Sequence, residues 1–231
     1  MTDDTKDLME IRDGIIDAMM PHVLFDGWSE RSMAAAVADL GHDKSMALRA
    51  FPGGLIEVAE HYCDWLDRRM MVELEAHDLA NMRIRDRIAT AVRVRIELVA
   101  GHRESVRRVV AYLSLPHHAL VAAKCTYRAV DNMWFAAGDT ATDWNFYTKR
   151  GLLAGVYTST LLYWLTDSSE GFEDTWGFLA RRIDEVLKVP KMQSDALKSL
   201  GKLANPLRAF KPTRRRGFGN RRRFSPGALS K

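Results

Sequence analysis

Apolar residues recur along the chain every three to four positions and no run alternates with period two, a pattern that predicts an all-α protein. Leu8, Ile11, Ile15 and Met19 share one face of a first helix. Met33, Ala36, Val37 and Leu40 do so for a second, opened by Ser29 as N-cap and closed by Gly41. A third, short helix is predicted from about Lys44 to Ala50, ended by Pro52-Gly53-Gly54. Leu55, Val58, Ala59, Tyr62, Leu66 and Met70 then mark the inner face of a longer helix. Further helices are predicted at about Ile84–Ala100, Glu104–Leu113, His118–Gly138, Asp143–Leu165 and Phe172–Val189, with breaks at Gly101-His102, Pro116, Gly138-Asp139 and Gly171. Leu152–Leu165 is apolar almost all round, so that helix is expected at the centre of a bundle.

Past Pro190 the character changes. Ala196, Leu197, Leu200, Leu203, Ala204 and Leu207 form one apolar face beside Lys198, Lys202 and Arg208. The pattern thus divides the chain into a helix-turn-helix-like unit (1–54), a helical bundle (55–190), an amphipathic helix (191–212) and a basic tail (213–231). That tail is rich in Arg, Gly, Ser and Pro and is expected to be disordered.

Charge sharpens this division. The formal net charge is +4, but from Lys191 onward 12 bases face one acid, which is +11, and the preceding residues carry −7. An acidic body with a basic end implies a tail that seeks an anionic surface or polymer. At 47% apolar and 28% charged residues, wholesale disorder is excluded. Two cysteines, Cys63 and Cys125, exclude a disulfide framework and a four-thiolate zinc site. The longest apolar stretch, Gly151 to Leu165, falls short of the roughly 20 residues a spanning helix needs. The N-terminal Asp3, Asp4 and Asp7 are the opposite of a basic leader. From these the expected setting is a bacterial cytoplasm, peripheral to the inner membrane.

Enzyme signatures do not emerge. The chain has no G-x-x-x-x-G-K-[ST], G-x-S-x-G, C-x-x-C or H-E-x-x-H. A di-iron site in a bundle needs Glu-x-x-His pairs that aim both ligands inward from one face. Only Asp39-x-x-His42 comes near that spacing, and its His falls in a predicted turn, so a surface pair is expected. Glu57 and Glu60 read as a solvated face, and His117-His118 as a capping or surface pair. No catalytic residue, metal or cofactor is expected.

The three opening helices, with Gly41-His42-Asp43 as the turn, have the order of a helix-turn-helix. Residues 41–53 resemble the recognition segment of TetR-type regulators. That family usually has an aromatic where Leu48 stands and often a His where Ala50 stands, both facing phosphates. Between Ser29 and Leu55 three acids (Glu30, Asp39, Asp43) cancel three bases (Arg31, Lys44, Arg49), which removes the electrostatic term most DNA readers depend on. Specific DNA binding is therefore not expected. A TetR-type repressor with a small apolar effector stands as the alternative function.

Residues 129–186 set aromatics beside charges: Val130-Asp131-Asn132-Met133-Trp134, Ala137-Gly138-Asp139, Thr142 to Arg150, Asp167-Ser168-Ser169 and Phe172 to Trp176. Two readings are open on composition: Trp144 and Tyr147 as core anchors with Asp143 as a cap, or a docking patch with hot-spot chemistry. Together with Leu115-Pro116-His117, these segments resemble the Coq-nine family of ubiquinone (coenzyme Q) biosynthesis accessory proteins, over roughly Leu8 to Leu187. The resemblance implies a TetR-like, dimeric fold that has given up DNA regulation. It also implies an apolar pocket for isoprenoid quinone or phospholipid, a C-terminal helix that touches membranes, and delivery of substrate to the demethoxyubiquinone hydroxylase. The implied hydroxylase-docking patch falls on Asp131, Met133, Asp143, Phe146, Tyr147 and Arg150. Relatives commonly have Phe-Asn-Trp where this chain has Trp144-Asn145-Phe146, so Phe146 replaces the docking Trp. Membrane contact is expected from Leu197, Leu200, Leu203 and Leu207 with Lys198 and Lys202, each base near an anionic surface contributing on the order of 1 kcal/mol.

Overall fold

A computed structural model describes the backbone of residues 2–139 and 144–186, and the side chains of 7–139 and 147–186. Among the described residues every regular element is helical. The long helices are α1 (Thr2–Asp26), α2 (Glu30–Asp39), α3 (Ser45–Ala50), α4 (Leu55–Glu75), α5 (Ile84–Glu97), α6 (Arg103–Leu113), α7 (Ala119–Ala136) and α8 (Trp144–Trp164), followed by α9 (173–186).

Local chemistry explains the opening helix-turn-helix. Ser29 has extended backbone and its Oγ accepts from the Ser32 N–H at 3.3 Å, while Ser32 Oγ accepts from the Ser29 N–H at 3.2 Å. This reciprocal box satisfies two of the donors a helix start leaves open. Gly41, at φ +73°, lets the chain leave α2 in the left-handed conformation. Asp43 Oδ1 then accepts from the Ser45 N–H at 2.8 Å to start α3. At Gly54 the backbone takes φ 69°, ψ −154°, a region all but closed to side-chain-bearing residues, and turns the chain from α3 into α4.

The face predicted for α4 is buried, from Val58 through Tyr62 and Leu66 to Met70. It packs against α1, α5 and α7. Polar ties join the opening helices to the bundle: Trp28 Nε1 donates to the Leu55 carbonyl at 3.2 Å, Ser105 Oγ to the Met20 carbonyl at 2.7 Å, and Arg12 pairs with Glu57 at 2.7 Å. These residues lie within one unit, Met1–Val189, with a second from Pro190. The amphipathic helix and basic tail expected at 191–231, with Leu197, Leu200, Leu203, Leu207, Lys198 and Lys202, lie outside the described residues.

The expectation for α8 is corrected. Leu153, Val156, Tyr157, Thr160 and Trp164 are buried, but Gly151, Gly155, Thr158 and Leu162 face outward. Glycine and threonine lower the polarity of a face without supplying apolar area to bury, so apolar composition overstates the enclosure of this helix. Among the described residues no helix is long and apolar enough to cross a membrane.

Candidate functional site

Helices α4 to α8 enclose a cavity of about 180 Å³. Leu66, Ile96, Val99, Val106 and Val109 make its walls apolar. Burial gives it a direction: Tyr62, Leu66, Arg95 and Ile96 form a closed end, and Ser114 and Thr158 lie exposed at the mouth between α6, α7 and α8. The volume is below the roughly 300–1,000 Å³ that encloses a whole drug-sized ligand, so it suits one end of an extended molecule.

The closed end carries a polar network that the hydrophobic pattern hides. Asp67 lies on the inner face of α4, one turn from Cys63 and beside Leu66. Its Oδ1 is paired with Arg95 Nη1, and its Oδ2 accepts from Arg128 Nε at 2.7 Å. Arg95 Nε donates to Tyr157 Oη at 3.0 Å. Burial opposes the Arg95 charge, but Tyr157 and Asp67 outweigh it and keep the guanidinium protonated. Outward, Arg128 lies 3.6 Å from Asp64, and Lys124 pairs with Glu60. Asp64 also accepts from Arg68 Nε at 3.0 Å and Arg68 pairs with Asp13, so among the described residues four cations and four carboxylates are joined in this network. Burial raises the Tyr62 and Tyr157 hydroxyls above their ordinary range, so both stay protonated. Cys63 and Cys125 are free, buried and hydrogen-bonded to each other across α4 and α7; that bond and burial push the Cys63 thiol well up. Among the described residues no group of His, Cys, Asp and Glu could hold a metal ion.

At the α7–α8 connection a second cluster forms. Arg150 Nε donates to Asp131 Oδ1 at 2.6 Å and Nη1 lies 3.6 Å from Asp139 Oδ2, while Lys149 Nζ donates to Asp139 Oδ1 at 2.9 Å. Trp134 Nε1 donates to the Lys149 carbonyl at 3.3 Å. Of the six expected docking residues, Asp131 is partly exposed and Tyr147 is 69% exposed. Met133 corrects the expectation: it is 0% exposed, one turn on from Ala129 and Val130 on the inward face of α7. Arg150, at 5% exposed, is likewise a buried ion-pair member and offers no open surface. Asp143 lies outside the described residues, as does the side chain of Phe146.

The remaining polar motifs resolve simply. Asp39 pairs with His22 at 2.6 Å, a surface pair between α1 and α2. Glu57 and Glu60 are not merely solvated, being bound to Arg12 and Lys124. His118 is buried, with Nδ1 2.9 Å from the Tyr112 carbonyl, so it joins α6 to α7 and does not lie on the surface. In the recognition segment Leu48 is exposed, whereas Ala50 is buried in the core. The cavity-lining Tyr62 and Leu66 sit on a face the sequence predicts. Arg95 and Asp67 escape it; their one signal is a charge within an otherwise inward-facing stripe on each of two helices.

Comparison with known proteins bears on all of this. Residues 119–190 match the family model for COQ9. The chain is 30% identical over 187 residues to the human "Ubiquinone biosynthesis protein COQ9, mitochondrial", covering 78% of this chain and 58% of that protein. The rat protein of the same name is 32% identical over 187 residues, covering 78% and 60%. A probable coq9 protein of Dictyostelium discoideum is 23% identical over 198 residues, covering 83% and 64%. The chain therefore spans about three fifths of the curated relatives it matches. Among solved structures, a TetR transcriptional regulator from Nitrosomonas europaea superposes with a TM-score of 0.63 at 20% identity, covering 77% of this chain and 98% of that one. The TetR-like all-α fold and the resemblance to the COQ9 family therefore stand. The relatives are named for ubiquinone biosynthesis and not for a single reaction. The expected bacterial cytoplasm is overturned: these relatives are named mitochondrial, which points to the mitochondrion. A removable leader leaves no mark on folded helices, so helix patterns carry no information about compartment.

Proposed function

We propose, on the chain's resemblance to the COQ9 family and on its cavity, that the protein is a non-catalytic, lipid-binding accessory factor of ubiquinone biosynthesis. It holds one end of an isoprenoid quinone intermediate and presents it to the demethoxyubiquinone hydroxylase. The observation that carries this reading is the apolar cavity in α4–α8, which has a closed end, an open mouth and no catalytic grouping among its lining residues. Such intermediates are nearly insoluble in water, so an enzyme working beside the bilayer gains from a protein that shields them. The leucines and lysines of 197–207 serve this reading as the membrane contact, and the exposed Tyr147 with the Asp131 edge of α7 as the docking surface.

Mass spectrometry of lipid retained through gentle purification tests the proposal. An isoprenoid quinone or its precursor is expected, and Ala122→Phe, which fills the mouth, is expected to lose it with the fold kept. A protein that carries no lipid and takes up none from vesicles overturns the reading. The repressor alternative gains nothing from the TetR neighbour, since 20% identity speaks for the fold alone. Salt-sensitive, sequence-selective retardation of DNA would restore it.

A further inference from the structure

The two most exposed large apolar side chains among the described residues, Leu120 at 84% and Phe25 at 83%, belong to the same end of the helical body. Helices α1 and α6 run side by side to that end. Ser105 Oγ donates to the Met20 carbonyl at 2.7 Å, and further along both helices the Trp28 and Tyr112 rings lie 6.5 Å apart. Phe25 stands in the last turn of α1, with Leu24 exposed beside it. Beyond Tyr112 come Leu115, also exposed, the turn Pro116–His118, and Leu120 in the first turn of α7. His118 fixes this turn, with Nδ1 2.9 Å from the Tyr112 carbonyl and its ring 4.3 Å from the Tyr112 ring. Exposed apolar side chains held in place by such a framework mark a surface that meets something other than water.

We propose that this end of the molecule is a lipid-surface contact, in which Phe25, Leu115 and Leu120 enter a membrane beside the cavity mouth, so that a guest passes from bilayer to cavity without crossing water. This deepens the lipid-binding reading and rests on it for the guest, though not for the contact. The place of the mouth is the first argument. Ser114, at the mouth, directly precedes Leu115, and Leu113 and Ala122 on either side of the turn line the cavity wall. Charge is the second. Helix α6 carries Arg103, Arg107 and Arg108 against Glu104 alone, within residues 1–190 that carry −7. Arg107 and Arg108 are exposed about two turns behind Leu115, and Lys124 one turn behind Leu120. Asp26, next to Phe25, is answered by Arg31 at 3.2 Å. An apolar tip with bases set back from it lets the side chains sit below the headgroups while the cations meet lipid phosphates. The α8 lip of the mouth, at Thr158, takes no part, so a guest drawn from the bilayer is still offered there to the hydroxylase.

The test is Phe25→Ser/Leu120→Ser in the full chain, set against Val72→Ser. Val72 is an exposed apolar residue on α4, about 25 Å along the helix from Leu55, whose carbonyl Trp28 holds at the tip. Partition onto vesicles of phosphatidylcholine and phosphatidylglycerol is measured by sedimentation, and uptake of a prenylated benzoquinone is followed from detergent micelles and from the vesicles. Every chain keeps residues 190–231, so the contribution of the tail cancels in the ratio. The double variant is expected to partition about tenfold more weakly than wild type, and Val72→Ser within about twofold of it. It is expected to take the quinone from micelles as wild type does and from vesicles more slowly. Both side chains are more than four-fifths exposed, so the melt is expected to be unchanged; should the double variant fail to fold, Leu120→Ser alone decides. Equal partition of double variant and wild type, or an equal loss in Val72→Ser, overturns the contact while the lipid-binding reading survives. A shift to monomer with partition kept does so too, and assigns this end to a second copy. Wild type that takes the quinone from neither source overturns the lipid-binding reading, and a tenfold loss of partition in the double variant would still uphold the contact.

Discussion

Asp67 carries both its carboxylate oxygens to guanidinium groups from different helices, Arg95 of α5 and Arg128 of α7, and it does so from a buried position. Removing one member of such a pair costs more than the pair contributes, because the remaining charge stays buried and unanswered. Asp67→Asn should accordingly lower stability by about 3–5 kcal/mol, read from denaturant melts. Asp167 makes a different, pH-dependent contribution. Burial alone would raise its carboxyl, but the Thr175 hydroxyl at 2.5 Å and the Ser169 and Thr175 amides at 2.8 and 3.0 Å outweigh it and hold the pKa at about 2. A carboxyl depressed from 3.8 to about 2 stabilises the fold above its ordinary pKa and ceases to as pH falls through the lowered one. The Tm gap between wild type and Asp167→Asn should therefore be constant from pH 7 to about 5 and close between about pH 4 and 2.

At the scale of elements, the junction of α7 and α8 separates two roles that one stretch of sequence blends. Arg150 ties α8 back to Asp131 and Asp139, so Arg150→Ala should lower stability by about 2 kcal/mol, and any loss of hydroxylase association in that variant reports on the scaffold. Tyr147 projects outward, and Tyr147→Ala should keep the melt within about 0.5 kcal/mol while weakening hydroxylase capture. Equal binding by Tyr147→Ala and wild type would remove this surface from the docking reading. On α8 a Cβ at Gly151 or Gly155 would meet nothing within 4 Å, and Leu162 is exposed on the same side. This face suits the second copy that the resemblance implies. Gly155→Arg should shift the protein toward monomer in light scattering without loss of helicity.

For the whole molecule, the opposed charges of body and tail predict that truncation after Pro190 weakens binding to anionic vesicles, most at low salt, and leaves the melt of the helical body unchanged. Unchanged vesicle binding would dismiss the tail's role. By itself the sequence determined the succession of helices, their caps at Ser29 and Gly41, the inner face of α4 from Val58 to Met70, and the charge division, because each follows from local spacing and backbone preference. Only the tertiary structure decided that Met133 and Arg150 turn inward while Tyr147 turns out, that α8 keeps an open side, and that Tyr62, Asp67, Arg95 and Tyr157 meet at one end of a cavity. These depend on which helix lies against which. A periodic pattern fixes the face a helix buries but not its neighbour, and a charge within that face becomes legible only once its partner, 28 residues away for Asp67 and Arg95, is brought beside it.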